Sequence, residues 1–342
     1  MIHISEHTDI RKMTTFGLPA ECGRFIEFDS PADLQSLYRD GILSDILPIG
    51  GGSNLLFTTG IYRGTAVHCS CADVAFGAPD TNGHVDVHAA AGCVLDHLCE
   101  LTASRGLWGL ENLSGIPGEI GGAAVQNVGA YGTEFKDTAI AVECFDTATG
   151  QILTLTNSDC AYGYRDSVFK HRTGQPPLIV TGVTLRLSTH PTPRLGYAAL
   201  AERFASTATA DLTPAMLRQA VIGLRDSKLP DPKKTGSAGS FFKNPVVAEC
   251  EYQRIQELSN KPVPGHVLPD GTVKLSAAWL IDNAGCKSLS HGGAALWQSQ
   301  PLVIVNATGH ATGSDVVALE RDVIRTVYSK FGITLEPEVV HI

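Results

Sequence analysis

Ile46-Leu47-Pro48-Ile49-Gly50-Gly51-Gly52-Ser53-Asn54 is the stretch on which the fold turns. A short apolar run with strand character ends in three glycines and two residues with hydrogen-bonding side chains. Without side chains, successive backbone N–H groups can approach a phosphate and form an anion nest. A plain tight turn satisfies the same residues. The dinucleotide fingerprint G-x-G-x-x-G does not fit. Its third glycine position is Leu55, and Leu56-Phe57-Thr58-Thr59-Gly60 lacks a helical pattern. The chain is therefore read as α+β rather than as one regular doubly wound sheet.

A second glycine-rich segment follows. It runs Leu113-Ser114-Gly115-Ile116-Pro117-Gly118-Glu119-Ile120-Gly121-Gly122-Ala123-Ala124 and then Asn127-Val128-Gly129-Ala130-Tyr131-Gly132, with six glycines between 115 and 132. Such a segment cannot fill a core by side-chain packing. It lets something planar or charged lie against the main chain, or it is a loop with no ligand. Two such segments together suit a cofactor with a diphosphate and a flat ring.

Composition narrows the class. The chain has 342 residues, 43% apolar and 18% charged, with a formal charge of −9. This size suits two domains, and the composition suits a folded protein. An acidic balance is a poor footprint for nucleic acid, so none is expected as a partner. No apolar run reaches the roughly 18 residues of a membrane span. Residues 1–13 carry His3, Glu6, His7, Asp9, Arg11 and Lys12 and no apolar signal region, so a cytoplasmic location is expected and no membrane partner. The nine cysteines include no C-x-x-C pair. They read as reduced thiols, and no metal site is expected. The other histidines, including His171 and His291, read as surface or loop residues.

Caps and periodicity place helices at 31–40 (Ser30, then Pro31, with Asp33 three past the serine), 94–105 (Val94, Leu98 and Leu101 on one face), 213–228 (Leu217, Ala220, Val221, Leu224) and 275–284. A longer one is capped by Ser314. Its apolar face is Val316, Val317, Leu319, Val323, Ile324, Val327, Tyr328 and Phe331, and Gly332 ends it. Strands are expected at 46–49, 85–87, 139–145, 151–156, 178–187, 302–305 and 333–340. Proline-rich stretches at 190–193 and 229–232 bracket the 213–228 helix, and one of them separates an N-terminal from a C-terminal unit.

Several motifs stand in an order that resembles one family. They are Thr15-Phe16-Gly17, Gly50-Gly51-Gly52-Ser53-Asn54, Gly115-Ile116-Pro117-Gly118, residues 127–132, Gly163-Tyr164-Arg165-Asp166-Ser167, Gly239-Ser240-Phe241-Phe242-Lys243-Asn244-Pro245 and Leu335-Glu336-Pro337-Glu338-Val339. The family is UDP-N-acetylenolpyruvoylglucosamine reductase, in its longer form with a tyrosine-bearing loop, here Leu195-Gly196-Tyr197. The resemblance runs from near residue 13 to the C-terminus. It implies a two-part FAD-binding module of the vanillyl-alcohol-oxidase type over 1–228 (parts at about 1–68 and 69–228). A C-terminal α+β substrate-binding domain over 229–331 and a final strand, 332–342, carrying Glu338 complete it.

The resemblance further implies non-covalent FAD, NADPH as electron donor, and reduction of UDP-N-acetylglucosamine enolpyruvate to UDP-N-acetylmuramate by a monomer. Gly50, Gly51, Gly52, Ser53, Asn54 and Leu55 then hold the FAD diphosphate. Gly115, Ile116, Pro117, Gly118, Gly122, Asn127 and Ala130 lie along the cofactor. Tyr131, Tyr197, Lys228, Asn244 and Gln300 bind substrate. Arg165, Ser240 and Glu338 match the catalytic positions. An arginine suits a carboxylate on which enolate charge develops, and a serine hydroxyl can protonate C2 only with help, because it is a weak acid. On residue type alone, Arg165 also reads as a surface partner of Asp166, Ser240 as a loop residue, and Glu336 and Glu338 as one face of an edge strand. Residues 225–244 carry a net charge of +3, which suits a diphosphate or a solvated face. One departure stands out: the family commonly has an arginine where this chain has Val340. Two rivals remain, a flavin oxidase of the same fold and a non-catalytic relative that binds FAD or a UDP-sugar.

Overall fold

The computed structural model describes residues 1–172 and 174–342. The chain divides into two compact units. The first comprises Met1–Thr8, Cys22–Gly52 and Arg63–Ser227; the second comprises Asp9–Glu21, Ser53–Tyr62 and Lys228–Ile342.

Among the described residues the first unit holds two larger sheets and the small hairpin Gly129–Ala130 with Thr133–Glu134. One is four-stranded, in the order His3–Asp9, Glu21–Phe28, Ile61–Cys69, Ile46–Pro48. Ile46–Pro48 is an edge strand, where a proline removes no needed donor, and it pairs in parallel with Ile61–Cys69. The other is antiparallel, in the order Gln151–Thr156, Ala139–Asp146, Leu178–Ser188, His84–Ala90, Val74–Phe76. Alternation works as expected in His84–Ala90, where Val85, Val87 and Ala89 point into the core. Among the described residues five α-helices belong here: α1 (Pro31–Arg39), α2 (Leu95–Ser104), α3 (Ile120–Gln126), α4 (Ala198–Arg203) and α5 (Pro214–Asp226). Ser30 caps α1 by accepting the Asp33 N–H at 3.3 Å, and Thr213 caps α5 by accepting the Met216 N–H at 3.3 Å. In α2 the buried face is Leu95, Leu98, Cys99 and Thr102. The expected face was one residue out of phase, since Val94 is the exposed N-cap.

The second unit holds α6 (Glu249–Leu258), α7 (Ala277–Asn283) and α8 (Gly313–Phe331). Its main sheet runs Ser237–Ser240, Val303–Asn306, Ala294–Leu296, Ser290–His291. Phe16, Leu18 and Leu56, from the two early segments, are buried in one cluster with Phe241, Leu280, Val316 and Val323. Two sequence expectations are corrected here. The N-cap of α8 is Thr312, not Ser314: Thr312 and Asp315 form a reciprocal capping box, which fixes the helix start two residues earlier. Residues 333–339 form no strand; only Val340–His341 does, paired in parallel with Leu55–Leu56. Pro337 lacks the N–H a continuous ladder needs, and the segment makes a single isolated bridge to Phe242. Among the described residues no helix is long and apolar enough to cross a membrane.

Candidate functional site

In the first unit the two glycine segments meet backbone to backbone. A Cβ on Gly51 would stand 3.1 Å from the Cα of Gly118, and one on Gly50 would stand 3.3 Å from Oε2 of Glu119. The edge strand Ile46–Pro48 delivers the first loop, and Gly52 turns it at φ +53°. Among the described residues, the amides of Gly50, Gly51 and Gly52 donate to no acceptor of the protein. A Cβ on Gly122 would meet nothing within 4 Å. Open backbone with undonated amides is the cradle a diphosphate requires, so these residues fit FAD. Helix α3 begins immediately after Glu119. His68 faces that carboxylate, its Nε2 3.1 and 3.2 Å from the two oxygens, while its Nδ1 lies 3.6 Å from Glu27. Burial pulls the His68 pKa down, but the hydrogen bond and charge of Glu119 outweigh it and leave it raised.

The far end of the second glycine segment is tied to the hairpin that carries Arg165. Asn127, fully buried at the end of α3 with φ +45°, donates to the Gly163 carbonyl at 2.7 Å and accepts the Lys136 N–H at 3.0 Å. Its side chain is thus committed to bracing the loop. Gly163 and Asp166 close a two-residue turn, with Arg165 at its tip in the left-handed region (φ +56°). The Arg165 Nη2 donates to the Gly129 carbonyl at 2.6 Å. Asp166 pairs instead with His171, at 2.7 Å, so the surface Arg165–Asp166 reading is replaced.

Tyr131 packs edge-on to Tyr197, with ring centroids 4.9 Å apart. Arg225 donates to the Gly115 carbonyl at 3.1 Å, and burial lowers its pKa against the opposing charge of its neighbours. The Gly115 N–H donates to Asp96 at 2.6 Å, and Asp96 is gripped by Arg218. Burial raises the Asp96 pKa, but Arg218 and the Gly115 amide overcome it and hold it low. Helix α5 thereby fixes both polar groups of Gly115, a role the sequence reading did not give it. Ile116, Pro117 and Ala130 lie along the same segment.

The second unit gathers Ser53, Asn54, Leu55, Ser240, Glu338, Lys228, Asn244 and Gln300. Ser240 is exposed at the end of its strand, opposite Val303. The next residue, Phe241, donates to Leu302 and accepts the Glu338 N–H, both at 2.8 Å. The Glu338 carbonyl accepts the Asn54 side chain at 3.0 Å, and the Val340 N–H reaches the Asn54 carbonyl at 2.9 Å. Gln300 accepts the Val303 N–H through its carbonyl at 3.0 Å, and Trp297 donates to the Lys228 carbonyl at 3.1 Å. The Asn244 Oδ1 accepts the Ala277 N–H at 3.0 Å, at the start of α7.

The +3 stretch is no uniform cationic face. Arg225 belongs to the first unit, Lys234 lies 3.8 Å from Asp231, and Lys243 lies 3.6 Å from Glu336. The cysteines are free thiols, seven of them buried. His68 departs from the surface reading, because it sits buried in a strand, whereas His341 is exposed and pairs with Glu320 at 2.7 Å. His68 could have been found in the run Ala66-Val67-His68-Cys69, where it falls among residues of strand character.

Comparison with known proteins agrees with this arrangement. Residues 25–156 match the family described as FAD binding domain, and residues 231–342 match the C-terminal domain of UDP-N-acetylenolpyruvoylglucosamine reductase. A UDP-N-acetylenolpyruvoylglucosamine reductase from Chromobacterium violaceum is 42% identical over 336 residues, 96% of each chain. One from Neisseria gonorrhoeae is 40% identical over 98% of this chain and 96% of its own. The crystal structure of the Thermus caldophilus reductase superposes with a TM-score of 0.67 at 25% identity, covering 100% of this chain and 98% of the other. The chain belongs to the UDP-N-acetylenolpyruvoylglucosamine reductase family, as an FAD-containing α+β oxidoreductase.

Proposed function

We propose that the chain reduces UDP-N-acetylglucosamine enolpyruvate to UDP-N-acetylmuramate, with NADPH as electron donor. When bound, FAD would supply hydride chemistry between NADPH and C3 of the alkene. Gly50, Gly51 and Gly52, with Ser53, Asn54 and Leu55 after them, would hold its diphosphate, and the 115–130 segment would line the cofactor. When hydride reaches C3, negative charge develops at C2 and spreads into the carboxylate. Arg165 meets that charge; its guanidinium is steadied on the Gly129 carbonyl and offers a planar set of donors to a carboxylate. Ser240 gives the proton to C2. A hydroxyl does so only where a neighbour stabilises the alkoxide, and Glu338 supports this step by holding the proton path. Tyr131, Tyr197, Lys228, Asn244 and Gln300 hold the nucleotide.

The observation that carries this reading is the ladder that joins Glu338 to the residue after Ser240, through the Glu338 N–H and Phe241 C=O at 2.8 Å. It supports a shared task for the two side chains. Stopped-flow absorbance tests it. NADPH is expected to bleach the flavin, and the enolpyruvyl nucleotide to restore its colour. Ser240→Ala is expected to leave bleaching nearly intact and to slow the nucleotide-driven return by roughly a hundredfold or more. A variant as fast as the parent removes Ser240 from the mechanism. Colour restored only by oxygen assigns an oxidase, and a flavin that NADPH does not bleach assigns a binding protein.

A further inference from the structure

We infer that His341 is a positioning residue for Glu338: in its doubly protonated form it ties the last strand to helix α8 and so fixes where Glu338 stands. The inference rests on the reading of Glu338 as part of the proton path.

Glu320 is the starting point. It follows Leu319 on the buried stripe of α8, four residues after Val316, and is 7% exposed. A carboxylate in that place is costly without a cationic partner. His341 provides one, with Nε2 2.7 Å from Glu320 Oε2. The other ring nitrogen, Nδ1, lies 3.2 Å from the carbonyl of Val339. Both neighbours of the ring are acceptors. A neutral imidazole has one N–H and can serve only one of them, whereas an imidazolium donates to both.

The surroundings favour the charged ring. Glu320 is the charged group acting on it, and its hydrogen bond raises the pKa of His341 above the ordinary histidine value. The strand partner contributes Leu55 and Leu56, and the segment after Ser240 contributes Phe241, its ring perpendicular to the imidazole with centroids 6.2 Å apart. None of these carries charge.

The main chain explains why one ring matters. The backbone after Pro337 is pinned at alternate residues. Glu338 is held by Phe241 and Asn54, Val340 by Asn54, and Ile342 by Leu56 and Thr58. The Val339 carbonyl belongs to the intervening rung, and His341 takes it. A two-residue parallel pairing is weak by itself. Loss of the ring's second N–H frees either Glu320 or the Val339 carbonyl, and the Val339–Val340 peptide, one residue on from Glu338, loses one of its two anchors, the Val340 N–H to Asn54 being the other. A small misplacement of a reacting group costs rate rather than binding.

The test is the pH dependence of nucleotide-driven flavin reoxidation in the holoenzyme, with kcat and KM measured separately. The parent is expected to lose kcat on the alkaline side, through a group titrating above the ordinary histidine value. Glu320→Gln is expected to move that limb to lower pH by about one unit or more. His341→Gln is expected to abolish the limb and to lower kcat roughly ten- to a hundredfold with little change in KM. His341→Arg, a permanent cation with several donors, is expected to recover part of the rate without the limb. A parent with no alkaline limb overturns the inference. So does a limb unmoved in both Glu320→Gln and His341→Gln, and if His341→Gln does not fold, the Glu320→Gln limb decides alone. Glu338→Gln separates the two readings. If it is as fast as the parent, the role of Glu338 itself falls. If it is slow while the His341 variants keep the parental profile, only the positioning role falls.

Discussion

His68, buried, and Glu119, half-buried, form a pair beside the first glycine loop, and one proton on the imidazole decides whether that carboxylate is balanced. The folded pKa of His68 is raised, through Glu119 and against burial. The stabilisation it brings is therefore complete below the unfolded histidine value of about 6.5 and is lost as pH rises through the raised folded value. Denaturant unfolding of the parent is expected to show a stability falling across that window, and His68→Gln to flatten this part of the profile. A His68→Gln profile parallel to the parent assigns the pH dependence to other groups. Nothing in the composition marks this histidine, because a strand pattern specifies that a side chain is buried and not which acid it meets. The same holds for Arg225. Its cationic character was legible, but its use as a brace on Gly115 depends on α5 crossing that loop.

Among elements, the caps at Ser30 and Thr213 were readable because the first-turn contact is local: a hydroxyl reaches an N–H three residues on. At α8 two candidate hydroxyls compete, and the one backed by a reciprocal Asp, Thr312, wins. Thr312→Ala is expected to cost about 1 kcal/mol and Ser314→Ala a few tenths at most, read as shifts in thermal midpoint. Equal effects would move the helix start to Ser314. Helix α3 was not legible, since Ile120-Gly121-Gly122-Ala123-Ala124-Val125-Gln126 carries two glycines that each disfavour helix by about 1 kcal/mol. Burial of Ile120, Ala123 and Ala124 imposes the helix instead. The missing strand over 333–339 has the opposite cause. Its alternation suits a strand, but Pro337 withholds the donor.

At the scale of the whole molecule, the second unit is built from three separated segments. Phe16, Leu18 and Leu56 lie in its apolar core, and Gly236 has no room for a Cβ against the Phe16 carbonyl. A fragment beginning at residue 228 lacks these side chains and the Leu55–Leu56 partner of the last strand. It is expected to show no cooperative thermal transition, by circular dichroism or calorimetry. A sharp transition in the fragment would show that the core closes without the two early segments.

The sequence by itself determined the side-chain-poor loops, most helices and the family, because these depend on residue type at short spacing. Glycine frees the backbone wherever it stands, and a cap acts over three residues. The tertiary structure alone decided that Glu119 meets His68, that α5 braces Gly115, and that His341 meets Glu320 and the Val339 carbonyl. These partners are set by which strands pair and which helix faces pack, and a charge or a proton is assigned only once the group opposite it is in place.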